Sequence, residues 1–362
     1  MNSMKKKNFW KNKIVMVTGH TGFKGSWLTL LLKSLDANVI GYALNPISKP
    51  NFFDNLRLSR FLKYDYRENI LNLEKLKYVI KKTKPSIVFH LAAQSSVLVS
   101  YQEPKKTIET NVVGTVNFLE AIKKINSIKS AVIVTTDKVY LNLEKKKKFK
   151  ESSRLGGHDI YSSSKAACEI LVESYVKLFH SKNNSRNIAT VRSGNCIGGG
   201  DWTKDRIIKD CVESFINNEN LIIRSPNATR PWQHVLEPLC GYLKLAEKLY
   251  YDNKKIYTGS WNFGPNKRNN LKVKEIALIG KKILNSNSRI IIRRKKFYES
   301  ENLSLDSSKS LKFLRWKTQM SDQEALKMTF DWFKYFYNKN TRKNIIEFTF
   351  NQIKYFKRET NF

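Results

Sequence analysis

Six short apolar runs recur along the chain, and the stretches between them carry helical spacing. The runs are "KIVMVT" (13–18), "NVIGYAL" (38–44), "RFLKYD" (60–65), "SIVFHLAA" (86–93), "SAVIVTT" (130–136) and "NIATVRSGN" (187–195). A half-solvated strand alternates apolar and polar residues, whereas most of these runs are nearly continuous, as strands covered on both faces are. Between them, Trp27, Leu28, Leu31, Leu32 and Leu35 recur at helix period, as do apolar residues in 71–83, roughly 104–125, and 160–179. This alternation predicts an α/β fold, a doubly wound parallel Rossmann sheet with helices on both faces. After Asn195 the rhythm changes: "CIGGGDW" reads as a loop and later segments are shorter. "HVLEPLCGYLKLAEKLY" (234–250) reads as a helix with Pro238 near its first turn, and "SWNFGP" (260–265) as a strand ending in a turn. The expected division is a sheet domain over 1–194, to which 232–265 returns, and a smaller C-terminal substrate-binding lobe from 195–231 and 266–362.

Gly19, Gly22 and Gly25 lie between the first strand and the first helix. In that context a glycine fingerprint marks a dinucleotide site. Gly19 permits the tight turn, Gly22 lets backbone approach a pyrophosphate, and Gly25 lets helix lie close to strand. The free N–H groups of the helix N-terminus then face the diphosphate. The second strand, "IGYALNP", ends without the acid that would bind an adenosine ribose, so these residues alone leave NAD and NADP open.

"YSSSK" places Tyr161 and Lys165 four apart at a helix start, on one face. An ammonium beside a phenol favours phenolate, which predicts a base for an alcohol proton. The fifth strand ends in "TTDKVY", and ligands of a parallel sheet bind beyond the carboxyl ends of its strands. Thr136 is thus expected to join Tyr161 at an alcohol, with Asp137 and Lys138 facing carbons further along the same substrate. Alcohol oxidation needs Thr, Tyr and Lys; the added acid and base point to a second proton-transfer step.

Composition narrows the partners. The chain has 362 residues and a formal net charge of +35, with lysines spread throughout and one dense block, "EKKKKFKE" (144–151), that reads as a solvated loop. No nucleic-acid motif accompanies the charge, so no specific nucleic-acid partner is expected, although such a field attracts an anionic small substrate. Cys168, Cys196, Cys211 and Cys240 are scattered, which argues against a metal site or a disulfide framework and fits a reducing compartment. No apolar run approaches the roughly 20 residues that cross a bilayer. A cytoplasmic protein with no membrane partner is expected.

In order along the chain, "VTGHTGFKGSWL", "FHLAAQ", "TNVVGT", "VTTDKVY", "LGGHDIYSSSK", "GNCIGGGDW", "ATRPWQHVLEPLCGYL", "WNFGP" and "LDSSKS" resemble the CDP-glucose 4,6-dehydratase family. These are extended short-chain dehydrogenase/reductases of the NAD-dependent epimerase/dehydratase group. The resemblance spans nearly the whole chain and implies a lyase with NAD as cofactor and CDP-glucose as substrate. The implied reaction is oxidation at carbon 4, loss of water across carbons 5 and 6, and hydride return to carbon 6, giving a 4-keto-6-deoxy sugar of the kind used in lipopolysaccharide O-antigens. It implies Tyr161 as base with Lys165 and Thr136, Asp137 as acid, and Lys138 either as the carbon-5 base or as an enolate stabiliser beside a water. Thr21, Gly22 and Phe23 are implied along the pyrophosphate, Asp65 and Tyr66 at the adenine, and Leu91, Ala92 and Ala93 on the cofactor's far side. Asn195, Arg206 and Arg230 are implied at the sugar diphosphate; His234 is implied at the substrate beside them, with a capping or core role as its alternative. Members are dimers or dimers of dimers, which implies pairing through helices 104–125 and 159–180. The sequence departs from the family at Leu98 and Val99, where arginines are expected, at Val139, where cysteine is usual, and at His158 and Ile160. The alternative is another nucleotide-sugar oxidoreductase or 4-epimerase, which has no need of Asp137 and Lys138; a non-catalytic binding scaffold is a third reading.

Overall fold

A computed structural model of the chain describes residues 8–143, 148–181, 186–204, 206–229, 231–265, 271–293, 303–339 and 341–360. Seven parallel strands form the central sheet: β1 (Ile14–Thr18), β2 (Asn38–Ala43), β3 (Tyr64–Arg67), β4 (Ile87–His90), β5 (Ser130–Val134), β6 (Asn187–Ser193) and β7 (Gly259–Phe263). Their order across the sheet is 7-6-5-4-1-2-3. The chain runs outward from β1 through β3, then returns to place β4 on the other side of β1. The crevice between β1 and β4 is therefore the topological switch point, where ligands of such sheets bind.

Strand alternation splits the core into two layers. Val15 and Val17 of β1 pack with helix α1 (Phe23–Lys33) through Trp27, Leu28 and Leu31, whereas Met16 faces the opposite layer with Val88, Ile133, Leu76 and Phe118. The sheet strands are near-continuously apolar because both faces are covered; β6 is buried along all of its length.

Two local expectations are corrected. The third run is not a strand over 60–65: Leu58–Phe61 is a 3-10 helix entered through Arg57 at φ 48°, and β3 begins at Tyr64. Phe61 and Leu62 pack onto the core from outside the sheet, and β3, an outer strand pairing only with β2, stays half-exposed. The stretch 104–125 is also not one α-helix. Pro104–Ile108 leads into a π-helical turn, Glu109–Val113, before α2 (Gly114–Ile122). Such a turn frees a carbonyl from the regular ladder, and the carbonyl of buried Asn111 accepts from the Thr115 hydroxyl at 2.6 Å and the Cys168 thiol at 3.0 Å.

The later segments build a smaller layer around α4 (Leu236–Tyr250) and α5 (Asp322–Tyr337), which follow the long helix α3 (Ile160–Ser181). Pro238 sits in the first turn of α4, where its missing N–H has no partner to lose. Beside it, buried Glu237 accepts the backbone N–H groups of Gln319 and Met320 at 2.8 and 2.7 Å, tying the loop before α5 to α4. Burial, with Glu324 nearby, pushes the Glu237 carboxyl up to about 7 against the pull of those N–H donors and Lys244. A raised carboxyl pKa stabilises the fold below its ordinary value and loses that contribution as pH climbs through the raised one. Glu237→Gln keeps the accepting oxygen without the charge. Its stability relative to the parent is expected to rise by about 3 kcal/mol between pH 4.5 and 8. Urea melts at the two pH values check this, and a constant difference would refute it. No helix among the described residues is long and apolar enough to cross a membrane.

Candidate active site

The loop after β1 is shaped for a dinucleotide. Gly19 takes φ +73° with its N–H bonded to the Tyr42 carbonyl at 2.9 Å, and a Cβ there would meet the Ala92 nitrogen at 2.7 Å. A Cβ on Gly25 would meet the Gly19 oxygen at 2.2 Å, so only glycine lets α1 lie this close. The N-cap of α1 is Gly22, which makes no side-chain cap, and no acid occupies the first turn. Its N–H groups are thus left for an anion, which fits a pyrophosphate. Leu91 and Ala92 are held opposite, their N–H groups donating to the Thr18 carbonyl at 3.1 Å and the Thr18 hydroxyl at 3.2 Å, and half-buried Ala93 follows. Thr21 donates its hydroxyl to the Leu44 carbonyl at 2.9 Å.

Asp65 lies within β3 rather than after it, next to Tyr66. Its carboxylate accepts His20 Nε2 at 2.8 Å and takes Arg67 in a fork of two 2.8 Å bonds. Burial works to raise its pKa, but these two donors hold it below the usual range. An acid absent from the end of β2 is thus present on the neighbouring strand, in register with Gly41.

Beyond the end of β5 the groups expected to transfer protons converge. Thr136 caps a 3-10 turn over Asp137–Val139, and its hydroxyl donates to Asp137 Oδ1 at 3.0 Å. Tyr161 and Lys165 arrive from the first turns of α3, and Thr136, Asp137, Tyr161 and Lys165 are all buried. The Tyr161 phenol faces the Thr136 hydroxyl. Lys165 Nζ donates to the Val134 carbonyl at 3.1 Å. Lys138 is half-buried, and its ammonium makes no hydrogen bond or ion pair among the described residues.

The electrostatics differ from the simple Tyr–Lys expectation. Burial raises the Tyr161 pKa, and Thr136, Lys24 and Arg206 oppose that rise without cancelling it. Burial also lowers the Lys165 pKa. The cations bearing on the phenol are Lys24 and Arg206, since Lys165 is turned to a backbone carbonyl. Lys24 was legible only as a residue of the glycine loop. Its Nζ donates to the Ser193 hydroxyl at 2.8 Å, which also accepts the Tyr242 hydroxyl at 2.9 Å.

The remaining sequence candidates scatter more. Asn195 is half-buried at the strand-end loop, with its carbonyl accepting Gln233 N–H at 3.2 Å. Arg206 is exposed at the N-cap of helix Ile207–Ile216, and Arg230 lies outside the described residues. His234 is fully buried at the edge of Trp27, 5.6 Å between ring centres, and its Nδ1 accepts the Leu236 N–H at 3.3 Å. Burial pushes its pKa down to about 3, so it is a neutral ring that caps α4 within the core. Asn111, within "TNVVGT", carries no local signal of its place in the site. Its side chain pairs with both backbone groups of Gln94, at 2.8 and 3.0 Å, and donates to Ser164 at 2.9 Å, fastening the wall of the crevice to α3.

A family model described as GDP-mannose 4,6 dehydratase matches residues 16–329. The chain is 42% identical over 336 residues to the CDP-glucose 4,6-dehydratase of Salmonella typhimurium, covering 91% of this chain and 92% of that one. A crystal structure of dTDP-glucose 4,6-dehydratase from Bacillus anthracis in complex with NAD superposes with a TM-score of 0.75 at 23% identity, covering 92% of this chain and 99% of that chain. The epimerase Mth375 of Methanothermobacter thermautotrophicus gives 0.79 at 24% identity, over 93% and 96% of the two chains, which shows the same fold. With the sheet order, the glycine cradle and the Thr136–Asp137–Tyr161 cluster on one crevice, the chain belongs to the nucleotide-sugar 4,6-dehydratase family that this model describes.

Proposed function

We propose that the chain is a hydro-lyase that converts CDP-glucose to CDP-4-keto-6-deoxyglucose with NAD+ as a recycled cofactor. The observation that carries the reading is the buried Thr136–Asp137 pair beside Tyr161 in a chain 42% identical to a CDP-glucose 4,6-dehydratase. Gly19, Gly22 and Gly25 with the start of α1 hold the pyrophosphate, and Leu91 to Ala93 form the opposite wall. The Asp65–His20–Arg67 cluster and Tyr66 lie at the adenine end. NAD+ bound there accepts the hydrogen removed from carbon 4 and returns it to carbon 6.

The chain's own residues handle the protons. Tyr161 and Thr136 hold the 4-hydroxyl, and Tyr161 takes its proton. The ketone formed at carbon 4 acidifies the carbon-5 hydrogen. Asp137 protonates the departing 6-hydroxyl so that it leaves as water. Lys138, half-buried with its ammonium uncommitted among the described residues, faces the carbon-5 side, either as base or through a water. Asn195, Arg206 and Arg230 are assigned to the diphosphate, where guanidinium forks suit phosphate oxygens. His234 supports this site from behind through α4 and the Trp27 contact. A homodimer is the assembly we favour, because Ile108, Val113 and Ile170 leave apolar surface exposed on the two helical stretches expected to pair.

The experiment is turnover of CDP-glucose, UDP-glucose and dTDP-glucose in parallel with NAD+, read as the alkaline ultraviolet absorbance of 4-keto-6-deoxy sugars. CDP-glucose is expected to be preferred by at least about tenfold, the discrimination that roughly 1.4 kcal/mol of base recognition gives. Equal turnover of the three would remove the cytidine assignment; no keto product from any would remove the reaction.

A further inference from the structure

The reaction removes a proton from one oxygen of the sugar and needs a proton at another. The 4-hydroxyl gives one up during oxidation, and the 6-hydroxyl must receive one to depart as water. The two acids assigned to those atoms, Tyr161 and Asp137, are buried, and a single hydroxyl, that of Thr136, adjoins both. Thr136 Oγ1 donates to Asp137 Oδ1 at 3.0 Å. That direction is the one a carboxylate accepts, and it leaves the lone pairs of Oγ1 toward other donors. The weak 3.4 Å approach of the Lys138 N–H uses one of them. The Tyr161 phenol lies close enough to the same hydroxyl for Thr136 to lower its pKa. All three side chains are at most 8% exposed, so bulk water is a poor competitor for the proton.

Resting on the functional reading above, we propose that Tyr161, Thr136 and Asp137 form one proton relay. The proton leaving the 4-hydroxyl displaces the phenol proton onto Thr136, whose own proton moves to the Asp137 carboxylate, and Asp137 then delivers it to the departing 6-hydroxyl. The balance closes within one turnover. Oxidation begins with Tyr161 protonated and Asp137 ionised, and ends with both protonated. Breaking the carbon-6–oxygen bond takes the Asp137 proton into water and restores the starting pair. The proton taken from carbon 5 is returned there by the group that removed it. No free phenolate is required at any stage.

This removes a difficulty in the separate-roles scheme. Burial raises the Tyr161 pKa, and the nearby Asp137 charge adds to the rise, so a standing phenolate is disfavoured. An independent Asp137 acid would also have to stay protonated at neutral pH, where an ordinary carboxyl is ionised. In the relay each group starts in its ordinary form.

The test separates oxidation from elimination with CDP-6-deoxyglucose, which has no 6-hydroxyl to lose. Enzyme loaded with NAD+ is mixed with this analogue, and nicotinamide reduction is followed by absorbance. The relay predicts that Asp137→Asn and Thr136→Val both slow oxidation of the analogue by at least about 100-fold, the size of a lost proton-transfer partner. Thr136→Ser, which keeps the hydroxyl, should stay within about tenfold of the parent, and thermal melts verify that all three variants fold. Oxidation at the parental rate in Asp137→Asn overturns the relay, even if Thr136→Val is slow, because Thr136 then serves Tyr161 alone. If the parent forms no 4-keto product from CDP-glucose, the functional reading falls instead.

Discussion

Tyr161→Phe is expected to lower kcat on CDP-glucose by about 10³–10⁴-fold, the upper part of the range for a lost proton-transfer group. The melting temperature and the affinity for CDP-glucose should change little. The phenol is buried at the end of the crevice, and phenylalanine fills the same space. What is lost is one hydroxyl, close enough to Thr136 for that residue to lower its pKa. Binding energy for a nucleotide sugar comes mainly from the diphosphate and base contacts, which this change does not touch, so the effect falls on kcat and not on KM. Steady-state kinetics with isothermal titration of the nucleotide sugar decides the matter. Retention of more than a tenth of the turnover would show that another group takes the 4-hydroxyl proton; Lys24, held as an ammonium beside the phenol, is not that group.

Lys24 also illustrates what the chain does and does not disclose when read linearly. The glycine loop, the strand end at Thr136 and the Tyr161–Lys165 spacing are local patterns, and local geometry determines them: a strand, a tight turn and a helix face carry their side chains to known sides. The sheet followed from the same logic, because strands buried on both faces are apolar throughout. β3 was misread because an outer strand loses that signature, and the apolar Phe61 and Leu62 before it serve the core from a 3-10 turn. The π-helical turn at Asn111 was invisible since its cause is tertiary: a side chain bonded to Gln94 and Ser164, 17 and 53 residues away. The partnership of Lys24 with Ser193 spans 169 residues, which no spacing rule reaches. For His234 the sequence leaves a substrate role and a capping or core role level, and the contact with Trp27 and the bond from the Leu236 N–H favour the second.

The buried pair Glu169–Arg192 is the long-range feature with the largest expected effect on stability. Both side chains are 3% exposed. The Glu169 carboxylate accepts Arg192 Nε at 2.9 Å and Nη2 at 2.8 Å, and the hydroxyls of Thr135 and Thr190 at 2.5 Å each. Arg192 in turn donates to the Tyr140 hydroxyl at 2.6 Å, which donates to Asn262 on β7 at 2.7 Å. One carboxylate thus ties α3 to the ends of β5 and β6, one residue before Thr136 and one helical turn after Lys165. Glu169→Gln leaves a guanidinium in the core without its counter-charge, and a loss of about 3–5 kcal/mol is expected. Replacing both partners by methionine removes the charge and the desolvation together, so the double variant should recover most of that loss. Guanidinium denaturation of the two variants against the parent measures both values. If the single variant loses less than about 1 kcal/mol, the pair contributes no more than an exposed one does, and the strand end that carries Thr136 and Asp137 must be held by its backbone alone. If the double variant is stable but slow, the pair's contribution is the placement of those two side chains, because folding would then have survived the loss of the charges while the chemistry had not.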